Sequence, residues 1–241
     1  MRVGISGEQC FDNPPRPLDA CFLRFAWHLA SVAEIRVMHE TFKIPVPDQP
    51  WTLEGRWNSG IKGAAIAAPP HPLYGGNLDN PVLGALTDGL LAAGRSVLGF
   101  NWRGVGQSGS RPSGEFADAE SDYAAALCEL IRRDRGPLVA AGYSFGALAA
   151  LSTALDNPQI ERLILVSPPA SFLQQLPIEA FAGTIRLISG DRDEFSPPSL
   201  LDELDERVPH LEVTMVPGAD HFFSTGGFEE IRTFAKTSTK D

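Results

Sequence analysis

Pro137-Leu138-Val139-Ala140-Ala141-Gly142-Tyr143-Ser144-Phe145-Gly146 decides the fold, because an apolar run ends there in a Gly-x-Ser-x-Gly turn. The run reads as a short buried strand. Ala147-Leu148-Ala149-Ala150-Leu151, built of strong helix formers and small residues, reads as a helix packed close against it. Glycines two before and two after the serine let strand and helix approach, while Ser144 takes a strained backbone conformation that lifts its hydroxyl clear of the sheet. The turn is a nucleophile elbow only in that setting, since the five-residue pattern alone is common in ordinary loops.

On either side of this turn the chain alternates strands and helices. His39 to Val46 and Trp51 to Trp57 show period-two alternation interrupted by prolines, which predicts two antiparallel strands at a sheet edge. Gly63 to Ala68 and Ser96 to Phe100 read as buried strands. Between them Pro81 to Ala93 reads as a helix stopped by Gly94. Asp122 to Arg133 predicts a helix capped by Ser121 or Asp118. After the elbow come a strand at Arg162 to Val166, a helix within Phe172 to Phe181, and a strand at Ile185 to Ser189. A helix at Ser199 to Arg207, a strand at Glu212 to Val216 and a helix at Phe228 to Lys236 complete the pattern. Strands joined by helical crossovers mean a mostly parallel sheet with helices on both faces.

Composition bounds what such a sheet can do. The 241 residues suit one α/β domain, and a formal net charge of −10 argues against nucleic acid and anionic membrane surfaces as partners. Cys10, Cys21 and Cys128 are an odd and sparse set without a C-x-x-C pair, which indicates neither a disulfide framework nor a zinc site and fits a cytoplasmic protein. Residues 1–37 lack the period of the rest and are read as an N-terminal extension, poorly ordered or foreign to the natural protein, with a helix at Ala20 to Ala30 docked on the domain as the alternative. Residues 38–241 are read as the catalytic domain.

Open parallel sheets carry their reactive groups at the carboxyl ends of strands, so partners for Ser144 are sought there. Gly190-Asp191-Arg192-Asp193 follows one late strand, and Pro217-Gly218-Ala219-Asp220-His221 follows the last. A serine hydroxyl is a weak nucleophile at neutral pH and needs a base, and the base needs a carboxylate to orient it and stabilise its cation. Of the five histidines only His221 follows a late strand, which selects it as base. Asp191 and Asp193 compete for the acid role, and Asp220 reads as a turn residue.

Taken together, these features resemble the α/β-hydrolase superfamily over about Met38 to the C-terminus. The stretches Pro70-His71-Pro72-Leu73-Tyr74-Gly75-Gly76 and Asn101-Trp102-Arg103-Gly104-Val105-Gly106-Gln107-Ser108 are similar to those of small bacterial hydrolases without an elaborate lid. The resemblance implies an α/β-hydrolase fold with a minimal cap or none. It also assigns the acid to Asp193, the second acidic position of Gly190-Asp191-Arg192-Asp193, with Pro197 downstream.

The implied oxyanion hole uses the amide of Phe145, directly after the nucleophile, and one from the loop after Ala68. Pro72 has no N–H to give, so Leu73 is the expected second donor, with Tyr74 and His71 as alternatives, in a loop that departs from the commoner His-Gly-x pattern. Arg103-Gly104-Val105-Gly106 lacks the spacing of a phosphate loop, and its expected task is to brace the loop beside this hole.

The expected activity is serine hydrolysis of carboxylic ester or thioester bonds in small substrates through an acyl-enzyme, with no cofactor and no metal. A silent binding protein on the same fold and a peptidase or amidase are the alternatives. A second copy of the chain is a candidate partner. About 17 residues between Val166 and Thr184 leave room for one helix over the site, and Pro168, Pro169, Phe172, Leu173, Leu176, Phe222 and Phe223 are expected to wall the pocket.

Overall fold

The computed structural model describes residues 39–239. The reading of residues 1–37 as an extension lies outside that range. Eight strands form one sheet in the order β1-β2-β4-β3-β5-β6-β7-β8. They are β1 (His39–Pro45), β2 (Thr52–Asn58), β3 (Ala64–Ala68), β4 (Ser96–Phe100), β5 (Leu138–Tyr143), β6 (Ile160–Val166), β7 (Thr184–Gly190) and β8 (Leu211–Val216). β1 pairs antiparallel with β2, as the alternating edge sequences predict; β2 also pairs antiparallel with β4, and β3 to β8 run parallel.

The central strands are continuous apolar runs because both faces of the sheet are covered. All of β3, β4 and β5 is buried. On one face α1 (Pro81–Ala92) and α6 (Phe228–Thr237) pack together over Ala65, Val97, Val139 and Ile164. The larger core lies on the other face, where α2 (Phe116–Arg133), α3 (Phe145–Leu155) and α5 (Pro198–Arg207) cover Ile66, Leu98, Ala140 and Leu163. The Asn80 side chain caps α1 by accepting from Val82 and Leu83 N–H, and Gly94 stops it at a φ of 88°.

The largest departures from the sequence reading fall at two elements. α2 starts at Phe116, six residues before Asp122, and neither Ser121 nor Asp118 caps it; Glu115 occupies the cap position without a side-chain bond. Asp118 and Asp122 serve Arg103 instead. Its guanidinium takes Asp122 at 2.8 Å and also contacts Asp118, and its backbone N–H donates to Asp122 at 2.8 Å. Burial pushes the Asp122 carboxyl up, and the bonds and charge of Arg103 oppose that shift. The segment expected as a helix within Phe172 to Phe181 is split into a short α4 (Ala170–Leu173) and a single 3-10 turn at Ile178–Ala180. No large cap covers the carboxyl ends of the strands among the described residues, and no helix among them is long and apolar enough to cross a membrane.

Candidate active site

β5, β7 and β8 end on the same edge of the sheet, and the loops after them bring Ser144, Asp193 and His221 together. Ser144 sits between β5 and α3 at φ 55° and ψ −116°, a left-handed conformation that is strained for a residue with a side chain. Its N–H donates to Val166 O at 2.8 Å, which ties the turn to the end of β6. A Cβ on Gly142 would stand 2.3 Å from the Gly146 backbone, and one on Gly146 would stand 2.5 Å from Ala68 O and Pro69 O. Only hydrogen fits at either position, so the elbow needs both glycines.

Ser144 Oγ lies 3.0 Å from His221 Nε2, and His221 Nδ1 lies 2.9 Å from both carboxylate oxygens of Asp193. The three residues are 8%, 7% and 2% exposed, so these bonds form with little competing water. An ionised carboxylate only accepts, so the imidazole proton resides on Nδ1 and the Nε2 lone pair faces the serine hydroxyl. Burial alone would push the Asp193 carboxyl up. Hydrogen bonding and charge from His221, with a further bond from the Phe195 amide, hold it below the usual carboxylate range. The amides of Phe195 and Ser196 donate to Asp193 Oδ1 at 2.9 and 3.0 Å.

Asp191, the rival acid, faces away: its Oδ1 accepts from Gly218 N–H at 2.7 Å on the surface. Asp220 is a turn residue, accepting from Ser224 N–H at 2.8 Å. The Tyr143 hydroxyl donates to His221 O at 2.9 Å. This contact is invisible in the one-dimensional pattern, where Tyr143 is merely the variable position before the serine.

The amide of Phe145 opens α3 and has no acceptor inside its own helix. Across from it, a 3-10 turn at Pro72–Tyr74 carries the loop after β3. The His71 ring packs 4.6 Å from the Phe145 ring, and its Nδ1 accepts from Leu73 N–H at 3.2 Å. Tyr74 N–H is committed to His71 O at 3.1 Å. Trp102 Nε1 donates to Pro69 O and Pro70 O at 3.1 and 2.9 Å, so the Asn101 to Ser108 stretch braces this loop. Burial holds the His71 imidazole below its ordinary range.

Exposed apolar side chains stand on the segments that follow β3, β6, β7 and β8. Leu73, Tyr74, Phe172, Phe195 and Phe222 are five of the six exposed large apolar residues among those described. Phe195 and Phe222 pack 4.6 and 5.2 Å from the His221 ring. Leu173 and Phe223, expected to wall the pocket, are instead buried in the core, while Phe195 was not anticipated. Among the described residues no group of three or more His, Cys, Asp and Glu side chains is placed to hold a metal ion.

Comparison with known proteins places this geometry among hydrolases. The profile of the serine aminopeptidase S33 family matches residues 81–188. An uncharacterised protein of Rickettsia prowazekii (strain Madrid E) is 32% identical over 193 residues, which cover 71% of this chain and 77% of the relative. The structure of an alpha-beta serine hydrolase homologue from Coxiella burnetii superposes with a TM-score of 0.74 at 28% identity, over 83% of this chain and 97% of that one. A lidless serine hydrolase from Xanthomonas campestris shares the fold at a TM-score of 0.70 and 23% identity, over 83% of this chain and 93% of that one.

Proposed function

The chain belongs to the α/β-hydrolase superfamily, and on that premise we propose that it is a serine esterase cleaving carboxylic esters or thioesters of small substrates. The observation that carries the reading is the continuous line Ser144 Oγ, His221 Nε2, His221 Nδ1, Asp193, with both links near 3 Å. Ser144 Oγ attacks the carbonyl carbon as His221 Nε2 takes its proton, and Asp193 stabilises the resulting imidazolium. The oxyanion is held by the Phe145 amide and by Leu73 N–H, which exchanges its long bond to His71 Nδ1 for the stronger, charged acceptor. Collapse breaks the bond to the alkoxide or thiolate, which leaves with the proton from His221. Water then attacks the acyl-serine with His221 again as base and releases the acid.

The exposed rings of Phe195 and Phe222 beside His221 support an apolar group on the substrate, whose contact with them would remove apolar surface from water. A panel of p-nitrophenyl and thioester substrates tests the reading. Hydrolysis that vanishes in Ser144→Ala supports it; no turnover of any of them, by well-folded protein, refutes it. A peptidase or amidase reading uses the same atoms and draws support from the description of the matching family. Aminoacyl anilides in the same panel decide between them.

A further inference from the structure

The carboxyl ends of β6 and β7 bring two buried hydroxyls to Asp193. Ser189 Oγ donates to Asp193 Oδ2 at 3.1 Å, and Ser167 Oγ lies 3.2 Å from Ser189 Oγ. Both serines are fully buried. Because an ionised carboxylate cannot donate, the Ser189 proton is committed to Asp193, and the Ser189 oxygen is left to accept from Ser167.

Backbone geometry around Ser167 points the same way. Its φ of 42° is in the left-handed region, a costly conformation for a residue other than glycine. Its N–H donates to Ile188 O at 2.8 Å, and the next carbonyl, Pro168 O, accepts from Ser196 Oγ at 2.5 Å. Ser196 N–H in turn donates to Asp193 Oδ1. Two hydroxyls buried at the ends of apolar strands would cost stability if left unbonded. Here every bond they make leads to one carboxylate.

We propose that Ser167 and Ser189 are positioning residues, a buried pair of hydroxyls that locks the Asp193 carboxylate against His221 Nδ1. This rests on the reading of Ser144, His221 and Asp193 as the reacting set. With Ser189 Oγ, two loop amides and the imidazole all donating to it, the carboxylate is held from four directions and cannot rotate away from the ring. Losing a donor returns negative charge to the oxygens facing His221, which favours the imidazolium over the free base. Other titratable groups around the pair are Tyr143 on β5, whose hydroxyl holds His221 O, and the surface carboxylates Asp220 and Asp191, turned to Ser224 N–H and Gly218 N–H.

The test compares Ser189→Ala, Ser189→Thr and Ser167→Ala in the full chain. One readout is the pH profile of kcat/KM on p-nitrophenyl butyrate, and the other is the far-downfield NMR line of the His221 Nδ1 proton. In Ser189→Ala, kcat/KM should fall about tenfold, the worth of one bond to a charged group. Its acid limb should move up by about half a pH unit as the imidazolium gains. The downfield line should shift or be lost to exchange. Ser189→Thr keeps the hydroxyl and should restore all three.

A Ser189→Ala protein with the wild-type pH profile and line, changed only in melting temperature, would overturn the proposal. If Ser189→Ala does not fold, Ser167→Ala is read against the same two outcomes, with a smaller shift expected. Should the wild type hydrolyse no ester, the esterase reading falls, and the NMR line still decides the role of the serines.

Discussion

The Tyr143 hydroxyl donates to the backbone carbonyl of His221 across 2.9 Å, so the residue before the elbow serine anchors the loop that carries the imidazole. Burial, with the negative charges of Asp193 and Asp220, pushes this phenol well above its usual range and keeps it a donor wherever the protein is folded. Tyr143→Phe removes the anchor and leaves the buried carbonyl unbonded. We expect a loss of about 1 to 2 kcal/mol in urea unfolding, and kcat/KM lowered about tenfold with KM little changed.

The two aspartates after β7 should separate cleanly. Asp193→Asn keeps the shape but removes the charge that supports the imidazolium and favours the wrong tautomer, so kcat should drop by about 10³ or more. Asp191→Asn alters only a surface bond to Gly218 N–H and should stay within about threefold of wild type. Steady-state kinetics on one activated ester compares them, and equal losses would move the acid role to Asp191.

The elbow glycines carry a stability prediction. A methyl group on Gly146 would meet Ala68 O and Pro69 O at 2.5 Å, so β3 and α3 would have to part. Gly146→Ala should cost about 2 to 3 kcal/mol in urea unfolding and lower activity at the same time, because the loop bearing Leu73 follows β3. A neutral substitution would mean that the close approach of strand, loop and helix is not required.

Acid should weaken the fold partly through Asp193. Its folded proton affinity lies below that of an unfolded aspartate, whose pKa is about 3.9. The stability this adds is therefore present above that value and is lost as pH falls through the lower folded one. The fall in melting temperature between about pH 5 and pH 3 should be steeper in wild type than in Asp193→Asn. Parallel curves would show that Asp193 contributes nothing to acid unfolding.

The alternation of strands and helices was legible because each buried strand is a short apolar run, and Ser144 and His221 were marked by their places at strand ends. The start of α2 was not, because Glu115 makes no side-chain cap and Asp118, which resembled one, pairs with Arg103 in the preceding loop. The wall of the site was half legible. Phe222 and Phe223 are alike in sequence, yet one is exposed and the other packs into the core beside Val216 and Ala219. Ser167 and Ser189 left a faint signal, a hydroxyl residue ending each of two adjacent apolar strands, but their meeting at Asp193 depends on a strand order that periodicity does not specify. The choice between Asp191 and Asp193 came from family resemblance rather than from the residues, and in the structure only Asp193 reaches His221.

Whether Ser144 is an activated nucleophile is tested most directly by reacting the protein with a fluorophosphonate probe and locating the adduct by mass spectrometry. The account predicts a single adduct on Ser144, absent in Ser144→Ala and slowed at least about 100-fold in His221→Ala, because the hydroxyl reacts only when the imidazole takes its proton. Folded protein that resists the probe, or an adduct on another residue that survives Ser144→Ala, would contradict it.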